Sequence, residues 1–198
     1  MITDKFNFVH LPRTGGTTTH HIIKKSGAVI LDGQNHMPHI EELTIRNQPS
    51  FIIIRNPFEW YQSWHSWLGS ARRLDLAYES YKQPYKQPFD SYLEDVFKRR
   101  KKHRMTRVVP YDWYGSFSAC WNYFASAQSL SVFRYENLHA ELPSILAGFG
   151  GIPEQHTKRL LGTYLRRTNN HPKYTPALVK MVEEMDGYML DKYGYEPS

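Results

Sequence analysis

The stretch HLPRTGGTTTHH, residues 10–21, follows a short apolar run and leads into an apolar, lysine-ended one. Phe6–Leu11 has the alternation and β-rich character of a strand, Gly15-Gly16 breaks it, and Thr17–Lys25 has the pattern of a helix. Ser26-Gly27 stops that helix, because a glycine there takes the left-handed conformation without steric cost. A strand, a glycine turn and a helix start bring backbone N–H groups to one point, backed by the positive end of the helix dipole. Such a turn binds phosphate. Thr17, Thr18 and Thr19 add hydroxyl donors and Arg13 a permanent positive charge. A glycine pair also serves plain strand–helix geometry, so the turn alone does not decide the matter. The pattern G-x-x-x-x-G-K-[ST] is missing, and no aspartate clearly stands at a strand end to hold magnesium. Both facts disfavour an ordinary ATP or GTP enzyme.

Outward from this turn, the pattern repeats. Ala28–Leu31 is a second apolar run, closed by Asp32-Gly33, and Phe51–Ile54 is an unbroken third, as in a strand buried on both faces. Ser131–Arg134 is a weaker fourth, and helical patterns fill the intervals. The expected class is α/β, a single domain over residues 1–198 with a mostly parallel central sheet flanked by helices. Asn56 suits a helix N-cap, Pro57 the first helical position, and Glu59 the third position of a capping box. Phe89, Tyr92, Leu93, Val96 and Phe97 form one apolar stripe before the basic run KRRKKHR at 98–104. Thr175-Pro176 opens a last helix with Leu178, Val182, Met185 and Met189 on one side. Residues 69–92, with Pro84, Pro88 and scattered tyrosines, read as a long loop or lid.

Composition bounds the function. A hydrophobic content of 40% with 15% aromatics argues against disorder. One cysteine, Cys120, excludes an intramolecular disulfide and a cysteine metal cage, and fits a reducing compartment. No apolar run approaches the ~20 residues of a membrane span, and MITDKFNF lacks a signal-peptide pattern, so a cytoplasmic location is expected. The net charge of +6 favours anionic partners.

A second cluster, FIIIRNPFEWYQSWHSW at 51–67, puts Arg55 at the end of the buried strand and Ser63 eight residues on, inside the next helix. An arginine there points into the crevice where open α/β sheets bind ligands. It could equally make a surface salt bridge.

Five pieces in order carry a resemblance. HLPRTGGTTT is similar to the 5′-phosphosulfate loop of sulfotransferases that use 3′-phosphoadenosine 5′-phosphosulfate, and RNPFEWYQS resembles their 3′-phosphate motif. NHMPH at 35–39 resembles the family's histidine segment, VPYDWYGSF at 109–117 its Y-G-S segment, and FRYENL at 133–138 its strand followed by Y-E-D-L. The tail DKYGYEPS resembles the usual close of these domains, so the likeness spans Phe6 to Tyr195. It implies a P-loop-NTPase-like sulfotransferase fold. Arg13 stands where many relatives carry lysine, and the glycine pair resembles the branch acting on sugars.

The resemblance implies sulfuryl transfer from that donor to an acceptor hydroxyl, a carbohydrate or a small-molecule alcohol. Negative charge then builds on the bridging oxygen of the leaving nucleotide, and Arg13 is the cation expected there. Thr14, Gly15, Gly16, Thr17 and Thr18 are expected to donate to the sulfuryl and 5′-phosphate oxygens. Arg55 and Ser63 are expected to grip the 3′-phosphate, Tyr135 the adenine edge, and Arg166 and Arg167 to close over the 3′-phosphate. His36 is the expected general base, since an imidazole with pKa near ~6.5 accepts a proton at working pH. His39 competes with it at the same spot, and Asp32 and Glu41 are the carboxylate alternatives. His36 and His39 could also be read as a metal pair, but no third ligand has convincing spacing, so no metal is expected.

Trp60, Trp64, Trp67, Tyr78, Tyr81 and Tyr85 cluster on the expected acceptor side, with core packing the better reading of Trp60 and Trp67. The run at 98–104 is a solvated helix face or an attractor for an anionic acceptor. The expected partners are the donor and a hydroxyl-bearing acceptor, without nucleic acid and without a membrane span. Competing readings are an atypical P-loop kinase, a basic nucleic-acid-binding protein and a nucleotide-binding fold without catalysis.

Overall fold

The structure, a computed structural model, describes residues 1–32, 48–70, 88–100, 116–125, 130–164 and 171–197. Its strands are β1 (Ile2–Thr3), β2 (Asn7–Val9), β3 (Ile30–Asp32), β4 (Ser50–Ile54) and β5 (Leu130–Arg134). The described helices are α1 (Gly16–Lys25), α2 (Pro57–Ser70), α3 (Phe89–Arg100), α4 (Phe117–Ala125), α5 (Leu138–Gly150), α6 (Glu154–Tyr164) and α7 (Pro176–Tyr193). Contacts divide the chain into two compact units, Met1–Arg55 with Trp121–Arg167, and Asn56–Cys120 with Thr168–Ser198.

The first unit starts from a turn built by one hydroxyl. Thr3 Oγ1 donates to the Phe6 carbonyl at 2.7 Å and accepts from the Phe6 and Lys5 N–H groups at 2.9 and 3.2 Å. That local network reverses the chain, as Ser and Thr side chains do in turns. β1 therefore lies antiparallel to β2, and β3 pairs antiparallel on its other side. β2, β4 and β5 are neighbours in parallel. The five strands form one sheet in the order β3-β1-β2-β4-β5. The expected mostly parallel sheet is thus corrected to a mixed one. The physical reason is that β1 occupies the edge of β2 on which β3 would otherwise have paired, and two residues carry no periodicity to announce a strand.

β4 is buried on both faces, as its unbroken apolar run implies: Phe51, Ile52, Ile53 and Ile54 are all 0% exposed. Phe51 stacks on Phe8 at 5.0 Å between ring centroids and meets Phe149 at 5.5 Å. Ile22 and Ile23 of α1, Leu142, Ile145 and Leu146 of α5 and Leu161 of α6 complete the same core cluster. Burying each such side chain contributes about 1.5–3 kcal/mol. The second apolar run is shifted from its expected place: β3 begins at Ile30, and Val29 and Leu31 stay exposed.

The second unit holds α2, α3 and α7, with α4 starting in it. The expected cap at Asn56 forms, and Thr175 caps the helix it is expected to open. Asn56 Oδ1 accepts from the Phe58 N–H at 3.1 Å, and Thr175 accepts from the Leu178 N–H at 3.4 Å with Pro176 in the first turn. Trp60 is buried and packs edge-on against Tyr61, Trp64 and Phe117, as a core residue. Trp67 departs from that reading: it sits against Trp64 but is 43% exposed.

A buried carboxylate joins three helices of this unit. Asp186 on α7, 0% exposed, accepts from the Tyr61 hydroxyl of α2 at 2.6 Å and from the Ser118 N–H at 2.7 Å. Tyr61 Oη in turn accepts from the Phe117 N–H at 3.0 Å. The carboxylate thus sits at the positive end of α4, where first-turn N–H groups lack intrahelical acceptors. Burial pushes the Asp186 pKa up, while its hydrogen bonds from Tyr61 and Ser118 pull it back. Cys120 is buried beside it, and burial followed by the Asp186 charge pushes the thiol pKa well up, so this cysteine is inert. Among the described residues no helix is long and apolar enough to cross a membrane.

Candidate functional site

Three neighbouring parallel strands bring some of the predicted residues to one end of the sheet. Val9 pairs with Ile52, and Ile54 with Arg134, so the C-terminal ends of β2, β4 and β5 lie side by side. The residues that follow them are the glycine turn, Arg55 and Tyr135 respectively. Parallel neighbours point the same way, so sequence-distant residues converge where such sheets hold ligands.

The turn is sharp. Residues 10–15 link β2 to α1, and the Thr14 hydroxyl donates to the Leu11 carbonyl at 2.7 Å inside it. Arg13 has φ +66° and Gly15 φ +82°, both in the left-handed region. That region is ordinary for glycine but uncommon for arginine, a conformation of the kind that clusters at functional sites. Gly15 occupies the N-cap of α1 without any side-chain cap, and the first turn carries no acidic residue. The early N–H groups of the helix thus keep their positive end undiluted. Thr17 is exposed, Thr18 half-buried, and the Thr19 hydroxyl donates to the Gly15 carbonyl at 3.3 Å.

Gly15 is needed for the turn, and both glycines are needed for their neighbours. A Cβ on Gly15 would lie 2.8 Å from Leu138 Cδ2 and 2.9 Å from two carbons of the Tyr135 ring. A Cβ on Gly16 would fall on Cδ2 and Nε2 of the buried His10 ring. Over the Tyr135 ring stands the Arg55 guanidinium, its carbon 4.5 Å from the centroid, a cation–π arrangement. Arg55 is 8% exposed. Burial first, and then the positive charge of Arg55, lower the Arg13 pKa to about 10, with Tyr135 opposing. Arg13 remains charged at neutral pH. Two desolvated guanidiniums and an uncapped helix start therefore share one locality, and this favours an anion there: charge-assisted hydrogen bonds are worth about 1.5–3 kcal/mol each.

Arg13, Gly15, Gly16, Arg55 and Tyr135 are thus brought together. Ser63 lies on α2 of the second unit, buried at 4% exposure. His36, His39, Glu41, Tyr78, Tyr81, Tyr85, Arg166 and Arg167 lie outside the described residues, and Asp32 ends β3. The expected lid at 69–92 is helical at both ends, in α2 through Ser70 and in α3 from Phe89, and its middle lies outside the described residues. His10 was missed by reading the sequence. Its only signal was an imidazole at a strand end, close before the glycines. Among the described residues no three His, Cys, Asp or Glu side chains are grouped to hold a metal ion. A cleft of about 540 Å³ in the second unit is lined by Glu59, Gln62, Lys173 and Tyr174 among others, and Gln62 donates to the Pro172 carbonyl in its wall at 2.8 Å.

Compared with known proteins, the chain matches no family model, no curated protein and no solved structure.

Proposed function

We propose that the chain is a sulfotransferase of P-loop-like fold, moving a sulfuryl group from 3′-phosphoadenosine 5′-phosphosulfate to an acceptor hydroxyl. One observation carries the reading: the glycine turn, Arg13, Arg55 and Tyr135 meet at the C-terminal ends of three adjacent parallel strands. Two cations and a helix N-terminus suit a ligand with more than one anionic group, and an aromatic ring suits a base or sugar beside them. The absence of a P-loop lysine fits a donor that needs no magnesium-bound γ-phosphate.

In the reaction the acceptor oxygen forms a bond to sulfur as the bond from sulfur to the bridging oxygen breaks. The electron pair stays on the leaving phosphate, where Arg13 and the first-turn N–H groups stabilise it. The acceptor proton passes to a base, for which His36 is our assignment. Arg55 and Ser63 hold the 3′-phosphate, with Arg166 and Arg167 closing over it.

The test is transfer of radiolabelled sulfur from the donor to a panel of carbohydrates and small alcohols, with a chelator present. Labelled product under these conditions is expected. Transfer from ATP with magnesium instead would establish the kinase reading, and donor binding without transfer to any acceptor would leave a non-catalytic nucleotide-binding fold.

A further inference from the structure

We propose that His10 is a positioning residue of the anion cradle, its ring acting as the spacer that sets how α1 stands against the end of the sheet. This rests on the reading of the glycine turn as the site for the donor's 5′ end. The ring is 4% exposed and lies nearly parallel to that of Phe8, 15° between planes at 5.8 Å, and Phe8 stacks on Phe51 of β4. The imidazole also lies against the backbone of Gly16, closely enough that a methyl group there would overlap its Cδ2 and Nε2. A chain of contacts therefore runs from Phe51 of β4 through Phe8 and His10 to the first residue of α1.

That residue begins the first turn of α1, whose early N–H groups lack intrahelical acceptors, and Gly15 before it is flanked by Tyr135 and Leu138. The turn is thus set by His10 at Gly16 and by Tyr135 and Leu138 at Gly15. Donors act on a charged ligand only within a few tenths of an ångström and a narrow range of angles. A change in the thickness of the spacer re-aims them. This explains why residue 16 must be glycine although its backbone is ordinary helix: the constraint is the ring, not φ.

The experiment measures binding of inorganic pyrophosphate and of 3′-phosphoadenosine 5′-phosphate to the full chain by calorimetry, with melting temperatures recorded separately. His10→Leu keeps most of the buried volume and is expected to fold, yet to lose about tenfold in affinity for both ligands, the worth of one weakened charge-assisted hydrogen bond. Gly16→Ala is expected to lose more. The double variant His10→Ala with Gly16→Ala is expected to bind better than Gly16→Ala alone, because the added methyl then enters the space the ring left. His10→Leu binding pyrophosphate as the wild type does overturns the proposal. So does a double variant no better than Gly16→Ala. Wild type that binds pyrophosphate but not the nucleotide overturns the donor reading, and His10 is then judged on the pyrophosphate series. Wild type that binds neither overturns both.

Discussion

The Tyr61 hydroxyl donates to the Asp186 carboxylate at 2.6 Å, and through this bond α2 and α7 together hold the first turn of α4. A buried carboxylate is costly unless it is hydrogen-bonded, and here each of its two oxygens accepts from one donor.

Removing the carboxylate strands those donors. Asp186→Ala leaves the Tyr61 hydroxyl and the Ser118 N–H without their acceptor in a buried site, and is expected to cost about 2–4 kcal/mol of unfolding free energy. Tyr61→Phe is expected to cost about 1–3 kcal/mol, since Asp186 loses a donor and Phe117 N–H an acceptor. Urea titration of both variants checks this, and a change below about 0.5 kcal/mol for Asp186→Ala would show the network to be incidental.

The same residue gives a pH dependence with a definite sign. Burial raises the Asp186 pKa above its ordinary 3.8, so the native state holds the proton more tightly than the unfolded chain does. Its contribution to stability is full below the unfolded value and is lost as pH rises through the raised folded value. Asp186→Asn cannot titrate. The stability of the wild type relative to Asp186→Asn is therefore expected to decline as pH rises from about 4 toward neutrality. Paired melting curves across that range test it, and a constant or widening difference refutes the assignment.

Arg55 and Tyr135 should act together on the nucleotide. Arg55→Ala is expected to weaken 3′-phosphoadenosine 5′-phosphate about 10- to 100-fold and to abolish its advantage over AMP. Tyr135→Phe keeps the ring beneath the guanidinium and is expected to bind within about threefold of wild type, whereas Tyr135→Ala removes a cation–π contact worth about 0.5–2 kcal/mol. Thermal shift with each nucleotide reads both effects, because a ligand that binds only the folded chain raises its melting temperature. Equal shifts from AMP and the 3′-phosphorylated nucleotide in the wild type would remove Arg55 from the proposed role.

His36→Ala is expected to lower the chemical rate by about 10²–10⁴ at saturating donor, with donor affinity little changed. His39→Ala is the control. A loss confined to His39→Ala moves the base three residues along the chain, and no loss in either moves the search to Asp32 and Glu41.

Reading the chain without its fold reached whatever is decided locally. The glycine turn, the stop of α1 at Ser26, the caps at Asn56 and Thr175 and the buried run of β4 all follow from preferences acting over a few residues. The residue types for an anion site were legible for the same reason, since Arg13, Gly15 and Gly16 are neighbours and Arg55 closes an apolar run. Tertiary structure alone decided the rest. Whether the sheet is parallel turns on which strand takes the free edge of β2, and the short β1 takes it by way of the Thr3 turn. Asp186 reads as one more polar residue on an amphipathic helix until Tyr61 and Ser118, far away in the chain, arrive to satisfy it. Gly16 is bound to remain glycine only because the ring of His10, the residue after β2, is packed onto it. Propensity acts along the chain, whereas burial, strand-edge occupancy and steric exclusion depend on which distant residues arrive as neighbours, and a sequence pattern does not carry those distances.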